Sequence, residues 1–284
     1  MLSYLNGEFL PLERAHLHVS DLSIQRGFGI FDFLRVKEFV PLYLEHYLDR
    51  FYNSASRMGL PDPPERAELH SVIRELIRRN EVAEAGMKII LTGGYSPDAY
   101  TPVKGNLIVS QHALVLPSVN QVEQGIKVIT YPYRRDIPEV KTINYTMGVW
   151  LQQKVKQAKA ADVLYHHDGI VSEFPRCNFF VVTRQGIVVT PHQFILHGIT
   201  RKKLLESATR QFEVQERTVT LQEVYDSAEL FLTSTTKGIL PIVQVDDHVI
   251  GSGKPGPVTW ALREVLQKTE QREIEIATAA IGSR

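Results

Sequence analysis

Leu69, Val72, Ile73, Leu76 and Ile77 fall at i, i+3, i+4, i+7 and i+8 after the break Pro61-Asp-Pro-Pro. That spacing places all five on one face of a 3.6-residue repeat and predicts an amphipathic helix over 66–79. The segment EHYLDRFYNSASRM carries a second stripe, Leu44, Leu48, Phe51, Ala55 and Met58, with Arg50 off it. Strand-like runs flank the first helix: Phe39 to Leu44 before it, then Met87 to Thr92 and Asn106 to Gln111 after it. The first hundred residues therefore read as mixed α and β. Between Gln111 and Gln124 the chain reads HALVLPSVNQVEQ, a weakly patterned stretch with a proline that suits an interdomain connection. This predicts a small domain over 1–115, a linker over 116–123 and a larger domain over 124–284.

Beyond the linker, Ile126 to Tyr131, Val163 to His166, Ile170 to Ser172, Asn178 to Thr183 and Ile187 to Thr190 are short strand patterns. Asp168-Gly169 and Gln185-Gly186 punctuate them as turns, which predicts a β-meander. Helical patterns at Thr146 to Lys159, Arg201 to Gln211 and Val258 to Lys268 alternate with these strands, so the second half is also mixed α and β.

Composition narrows the class. The chain has 284 residues, of which 43% are hydrophobic and 23% charged, as in an ordinary globular protein. Thirty-two basic residues balance thirty-two acidic ones, so no footprint of a nucleic-acid or membrane-surface binder is visible and the expected partner is a small molecule. One cysteine, Cys177, cannot close an intrachain disulfide, and the start MLSYLNGEFLPLERAHL lacks the basic head and apolar core of a secretion signal, which predicts a cytoplasmic protein. No apolar run is long enough to span a bilayer, and neither a GxGxxG nor a P-loop motif is present, which argues against a nicotinamide or P-loop nucleotide enzyme.

The candidate chemistry begins at IPEVKTINYTMG, where Lys141 follows an extended run and sits between apolar Val140 and Ile143. A nucleophilic lysine needs a desolvated or cation-flanked amine, and this setting allows one. Glu173 ends the strand GIVS, where backbone geometry can fix a carboxylate. In ILHGITRKKLLESA, Gly198 and Thr200 stand at a helix start, whose free N–H groups and dipole bind phosphate. The turn Ser234-Thr235-Thr236 follows the strand LFLT and offers further donors. Singly, each has an ordinary reading: a solvated lysine among thirteen, a surface acid, an N-cap, a loop, and at Arg50 a solvated arginine. Cys177 has no neighbour but Arg176 to lower its pKa, and the adjacent His166 and His167 of His166-His167-Asp168 point to opposite faces of a strand, so neither group reads as a nucleophile or metal site.

Taken in order, YLNGEFLPL, YLEHYLDRFYNSA, VKTINYTMG, DGIVSEFPRCNFFVV, ILHGITRKKLLE and ELFLTSTTKGILPIVQVDDHVIGSGKPGPVT resemble the fold-type IV pyridoxal-phosphate enzymes over nearly the whole chain. The resemblance implies an α/β fold of two domains, a small N-terminal α/β domain and a larger C-terminal, β-barrel-like α/β domain. It implies pyridoxal 5′-phosphate as cofactor, amino-acid and keto-acid substrates, and a homodimer. By motif, Lys141 becomes the Schiff-base lysine and general base, and Glu173 the partner of the cofactor's ring nitrogen. Arg50, Ile199, Thr200, Ser234 and Thr235 become its phosphate shell.

The loop TSTTKGILP resembles that of D-amino-acid aminotransferases more than the GTA-type loop of branched-chain enzymes. It implies ping-pong exchange of the amino group of D-alanine or D-glutamate with 2-oxoglutarate or pyruvate, the alternatives being a branched-chain L-amino-acid aminotransferase or aminodeoxychorismate lyase. The SPRAH-type loop that holds the substrate carboxylate in that group is replaced by Ser96-Pro97-Asp98-Ala99-Tyr100, and Phe31 stands where a tyrosine is usual. Arg26, in SIQRGFGIFDF, and Arg176, in SEFPRCNFF, occupy places that are usually uncharged, and they suit a replacement carboxylate clamp. Thr236 joins them on the substrate side, and Lys237 and Tyr145 lie near by motif position alone.

Overall fold

Alternation of buried and half-exposed positions lays the first 114 residues onto one antiparallel sheet, as the computed structural model of residues 1–282 shows. Elements β1 (Leu2–Leu5) and β2 (Glu8–Pro11) form a hairpin, and α1 (Leu22–Arg26) leads into β3 (Gly29–Lys37) and β4 (Val40–Pro41). Helices α2 (Leu44–Arg57) and α3 (Arg66–Asn80) precede β5 (Ala85–Thr92) and β6 (Leu107–His112). The sheet order is β2-β1-β6-β5-β3-β4. The five residues of the first stripe are all buried on α3. The expected strand from Phe39 to Leu44 shrinks to Val40–Pro41, because Phe39 and Tyr43 take left-handed φ values of 63° and 54° and turn the chain into α2. This compact unit comprises Met1–Leu114, the short segment Val140–Asn144 and residues 273–282. The short segment pairs along β3: Phe31 N donates to Lys141 O at 3.0 Å and Ile143 N to Gly29 O at 3.1 Å.

The second unit holds residues 115–139 and 145–272. The weakly patterned stretch after Gln111 contains a short helix, α4 (Val119–Gln124), whose Ser118 and Gln121 form a reciprocal capping box. Next come β7 (Ile126–Pro132), α5 (Thr146–Trp150), α6 (Gln152–Gln157), β8 (Asp162–His167) and β9 (Ile170–Val171). Then β10 (Asn178–Val182), β11 (Val188–Thr190), α7 (Ile199–Ala208), β12 (Val214–Glu216), β13 (Val219–Thr220) and α8 (Leu221–Asp226) follow. The last elements are β14 (Glu229–Ser234), β15 (Gly238–Val245), β16 (His248–Val249) and α9 (Pro257–Gly282), which begins in this unit. The helical run expected from Thr146 to Lys159 is split at Leu151.

These strands form one sheet in the order β12-β11-β10-β14-β15-β7-β8-β9-β13, with β16 beside β15. The expected meander is not what forms. α5 and α6 carry the chain between the parallel strands β7 and β8, and β9 pairs with β8 and β13 rather than with β10. Period-2 alternation names the two faces of each strand but not its partner. Residues from β7, β8, β9, β10, β11, β13, β14 and β15 converge on a single apolar cluster, so the sheet curls around its own inner face. The outer face of β10 and β14, including the stacked rings of Phe180 and Phe231, is covered by Leu204 of α7 and by Leu262 and Leu266 of α9. Ile129, Val163 and Tyr165 pack outward against Leu151 and Val155.

The start of α9 is tied to β14 by a buried acid. Glu229 accepts from the N–H groups of Val258 at 3.1 Å and Thr259 at 2.7 Å, so a carboxylate satisfies donors that have no partner within the helix. A Cβ on Gly256 would stand 2.1 Å from Glu229 Cδ, which reserves that position for glycine. Glu229→Ala is expected to lower stability by about 1–2 kcal/mol, the worth of a helix cap, with the loss read as a shift in urea midpoint.

No helix among the described residues is long and apolar enough to cross a membrane.

Candidate active site

Within the first unit, β3 sorts the candidates by face. Phe31 lies on its half-exposed face, and the Lys141 ammonium sits over the Phe31 ring, 4.6 Å from its centroid. The ring strips water from the amine and attracts its charge. The main-chain pairing of residues 141–143 with β3 holds the lysine there. Asp32, one residue on, points to the buried face and is fully enclosed. It receives Arg50 in a two-pronged contact, Nε to Oδ2 at 3.0 Å and Nη2 to Oδ1 at 2.6 Å. A fork of two charge-assisted bonds fixes the guanidinium plane. The structure thus joins Lys141 to Phe31 and Arg50 to Asp32.

Arg26 ends α1, exposed, its Nη1 donating to Gln25 O at 2.9 Å. Its helix is held by Asp21, a fully buried N-cap that accepts from Ser23 N, Thr92 Oγ1 and Asn106 Nδ2. Asp98 accepts from the Ser96 and Thr101 hydroxyls and from the N–H groups of Tyr100 and Thr101. Those hydrogen bonds, Thr101 first, hold its carboxyl far below the usual range, so it is a capped anionic turn.

In the second unit, Glu173 follows β9 and is 4% exposed. Its Oε1 takes Arg135 Nε at 2.8 Å and pairs with Arg135 Nη2 at 2.8 Å, while Oε2 accepts from Leu196 N at 2.9 Å. Arg135 also donates to Pro138 O. The carboxylate is thereby paired and oriented, with one oxygen on a cation and the other on a main-chain donor.

α7 begins at Ile199 and Thr200, both buried, behind Gly198, which offers no side-chain cap. Its axis is anchored by buried Arg201, which bonds Pro191 O at 3.0 Å and Glu216 at 2.8 Å. At the end of β14, Ser234 Oγ accepts from Lys237 N at 3.2 Å, and Lys237 Nζ meets buried Asp162 at 3.0 Å, which pins the turn through Thr235 and Thr236. Arg176 is exposed. Neither Arg26 nor Arg176 takes part in an ion pair among the described residues. Burial raises the Cys177 thiol above its ordinary pKa, which leaves it unsuited as a nucleophile. Among the described residues no His, Cys, Asp and Glu are grouped to hold a metal ion.

Within the second unit, a buried oriented carboxylate, an uncapped helix start and a hydroxyl-bearing turn suit a phosphorylated pyridine ring, and within the first unit the amine over an aromatic ring suits an aldehyde. Just before that turn, Thr233 Oγ1 is buried at 1% exposure with no hydrogen-bond partner, a polar atom in want of a ligand or water.

Sequence reasoning missed Asp32, Arg135, Asp162 and Asn178. Asp32 left a signal: it is in phase with Ile30, Leu34 and Val36 on the apolar side of β3, where a charge must be paired. Arg135 left none, because its partner is 38 residues away in the chain.

The Amino-transferase class IV family profile matches residues 29–245. The D-alanine aminotransferase of Bacillus licheniformis is 28% identical over 93% of this chain and 95% of its own. A putative branched-chain-amino-acid aminotransferase of Methanocaldococcus jannaschii is 32% identical over 93% and 94%. A branched-chain amino acid aminotransferase from T.th., solved with pyridoxamine 5′-phosphate, superposes with a TM-score of 0.87 at 26% identity, covering 95% of this chain and 94% of that one. Matching over most of its length in profile, relatives and fold, the chain belongs to the class IV aminotransferases, which depend on pyridoxal 5′-phosphate.

Proposed function

We propose that this aminotransferase moves the amino group of D-amino acids such as D-alanine and D-glutamate to 2-keto acids such as 2-oxoglutarate and pyruvate. The observation that carries this reading is the state of its charged loops. Asp98 is saturated by its own turn, whereas Arg26 and Arg176 are exposed and outside any ion pair among the described residues, ready to meet a carboxylate. The D preference rests on the Ser234-Thr235-Thr236 turn and on the likeness to the Bacillus licheniformis enzyme. The likeness to branched-chain enzymes supports a second reading, an L-amino-acid aminotransferase. We also read the chain as a homodimer, which sedimentation equilibrium tests.

When bound, pyridoxal phosphate supplies an electron sink for the substrate Cα and carries the amino group between the half-reactions. Lys141 Nζ takes the Cα proton as general base in one half-reaction and returns a proton to Cα in the other, which gives ping-pong kinetics. Phe31 limits the motion of that amine and excludes water from one side of it. Glu173, held in place by Arg135, stabilises a proton on the ring nitrogen. Ile199, Thr200, Ser234 and Thr235 hold the phosphate by main-chain and hydroxyl donors, and Arg50, aimed by Asp32, adds a charge. Arg26 and Arg176 bind the substrate carboxylate, and Thr236 lies on the substrate side of the turn.

Single amino acids added to the loaded enzyme decide the substrate. D-alanine or D-glutamate is expected to bleach its absorbance band, and a response confined to L-leucine or L-isoleucine would overturn the reading. Pyruvate released from aminodeoxychorismate would indicate a lyase instead. Arg26→Ala and Arg176→Ala are each expected to raise KM for D-glutamate by about 10- to 100-fold, the worth of a hydrogen bond to a charged group. Unchanged KM in both variants rules out the clamp.

A further inference from the structure

Asn178 is the first residue of β10, 5% exposed, and stands where three segments meet. Its Nδ2 donates to Leu196 O at 2.7 Å. The other end of the same residue, Leu196 N, donates to Glu173 Oε2 at 2.9 Å. Leu196 is thus gripped at both ends, by the acid at its N–H and by the amide at its carbonyl. Two residues on, Gly198 runs so close to Asn178 that a Cβ built there would lie 2.1 Å from Asn178 Oδ1. Gly198 has an ordinary φ of −65°, so the demand for glycine comes from this approach and not from backbone conformation. Across the sheet, Asn178 pairs in register with Thr233, the residue before Ser234 and Thr235.

From this junction we infer that Asn178 is a positioning residue: it sets the gap between the start of α7 and the Ser234-Thr235 turn, and so shapes the cradle for the cofactor's phosphate. The inference rests on the phosphate reading proposed above. An amide suits the post because it offers a donor to Leu196 O and a compact oxygen that Gly198 can approach, whereas aspartate lacks the donor and brings a charge against a carbonyl. Asn178 is buried and its partners Leu196 and Gly198 are half-buried, so bulk water is a poor substitute for the lost hydrogen bond. Loss of Asn178 lets residues 196–198 shift, and the N–H groups of Ile199 and Thr200 no longer converge with the hydroxyls of the turn.

The test compares three probes on apoenzyme by equilibrium titration: pyridoxal phosphate, pyridoxal without its phosphate, and inorganic phosphate as competitor. Asn178→Ala and Asn178→Asp are expected to weaken pyridoxal phosphate and inorganic phosphate together by about 10- to 100-fold, the range for outer-shell partners of a bound group, and to leave pyridoxal unchanged. Gly198→Ala, which presses on the same contact from the other side, is expected to show the same pattern. Combined with Asn178→Ala it should cost less than the sum of the two, because the clash is gone. Should Asn178→Ala not fold, Gly198→Ala and Asn178→Asp carry the test. Equal losses for pyridoxal and its phosphate, no loss in any variant, or additive losses in the pair would each overturn the inference. Thr200→Val separates the two claims. If it weakens phosphate binding while the Asn178 variants do not, only the positioning role fails; if it too has no effect, the phosphate reading itself fails.

Discussion

Lys141→Ala is expected to lower kcat for transamination by at least about 10³-fold, because general-base catalysis alone contributes roughly 10²–10⁴ and in the proposed mechanism the amine is also the cofactor's covalent partner. The fold should survive the change. Lys141 is only half-buried, and what fastens its segment is main chain: Lys141 O accepts from Phe31 N, and Ile143 N donates to Gly29 O. Truncation at Cβ leaves those bonds in place. Circular dichroism and melting of the apoprotein should therefore match the parent, and small primary amines added to the assay should restore part of the proton transfer. Borohydride treatment of the loaded parent should add the cofactor's mass to the peptide that contains Lys141, and that mass should be missing in the variant. A variant that keeps parental kcat, or a mass shift on another lysine, would place the chemistry elsewhere. Lys141→Arg is expected to be as inactive as the alanine variant, since a guanidinium stays protonated and cannot act as a base at neutral pH.

Asp32→Ala is expected to produce the largest loss of stability, about 3–5 kcal/mol, because it takes from a mostly buried guanidinium the fully buried carboxylate that it forks. The side chain of Arg50 is 10% exposed, so solvent is a poor substitute for the lost partner. Arg50→Ala should cost a similar amount by stranding Asp32. Replacing both with leucine should recover much of the loss, since a buried ion pair exchanged for packed apolar side chains is often neutral. Cofactor affinity is expected to behave differently. If Arg50 meets the phosphate, affinity falls in both single variants and stays low in the double leucine variant, although stability returns. Recovery of affinity along with stability would show that the pair serves the fold alone. Urea midpoints measured on apoprotein, alongside cofactor titrations, separate these outcomes.

Much of the architecture follows from local pattern. The α3 stripe is long, strongly periodic and free of breakers, so the helix over 66–79 forms as α3 at Arg66–Asn80. The strands at 87–92, 106–111, 126–131 and 163–166 likewise match β5, β6, β7 and β8 to within a residue or two at most ends. Failures occur where the determinant is not local. Leu151 interrupts a run that reads as one helix, and the turn at Phe39 and Tyr43 depends on backbone conformation that non-glycine residues seldom adopt. The meander fails because a strand's alternation is the same whichever neighbour it finds.

Motif order along the chain was enough to identify a pyridoxal-phosphate aminotransferase fold, and it nominates Lys141, Glu173, Arg50, Thr200 and the Ser234-Thr235 turn as the proposed site, because such a site needs a fixed set of residue types at fixed places on strand and helix ends. Tertiary structure decided what holds each of them. It set Asp32 under Arg50, Arg135 against Glu173, Asp162 on Lys237 and Asn178 at the bend before α7. Those partners lie between 18 and 75 residues apart in the chain. Charge pairing and hydrogen bonding act over a few ångströms in space and carry no mark of sequence distance, so only the folded chain could bring them together.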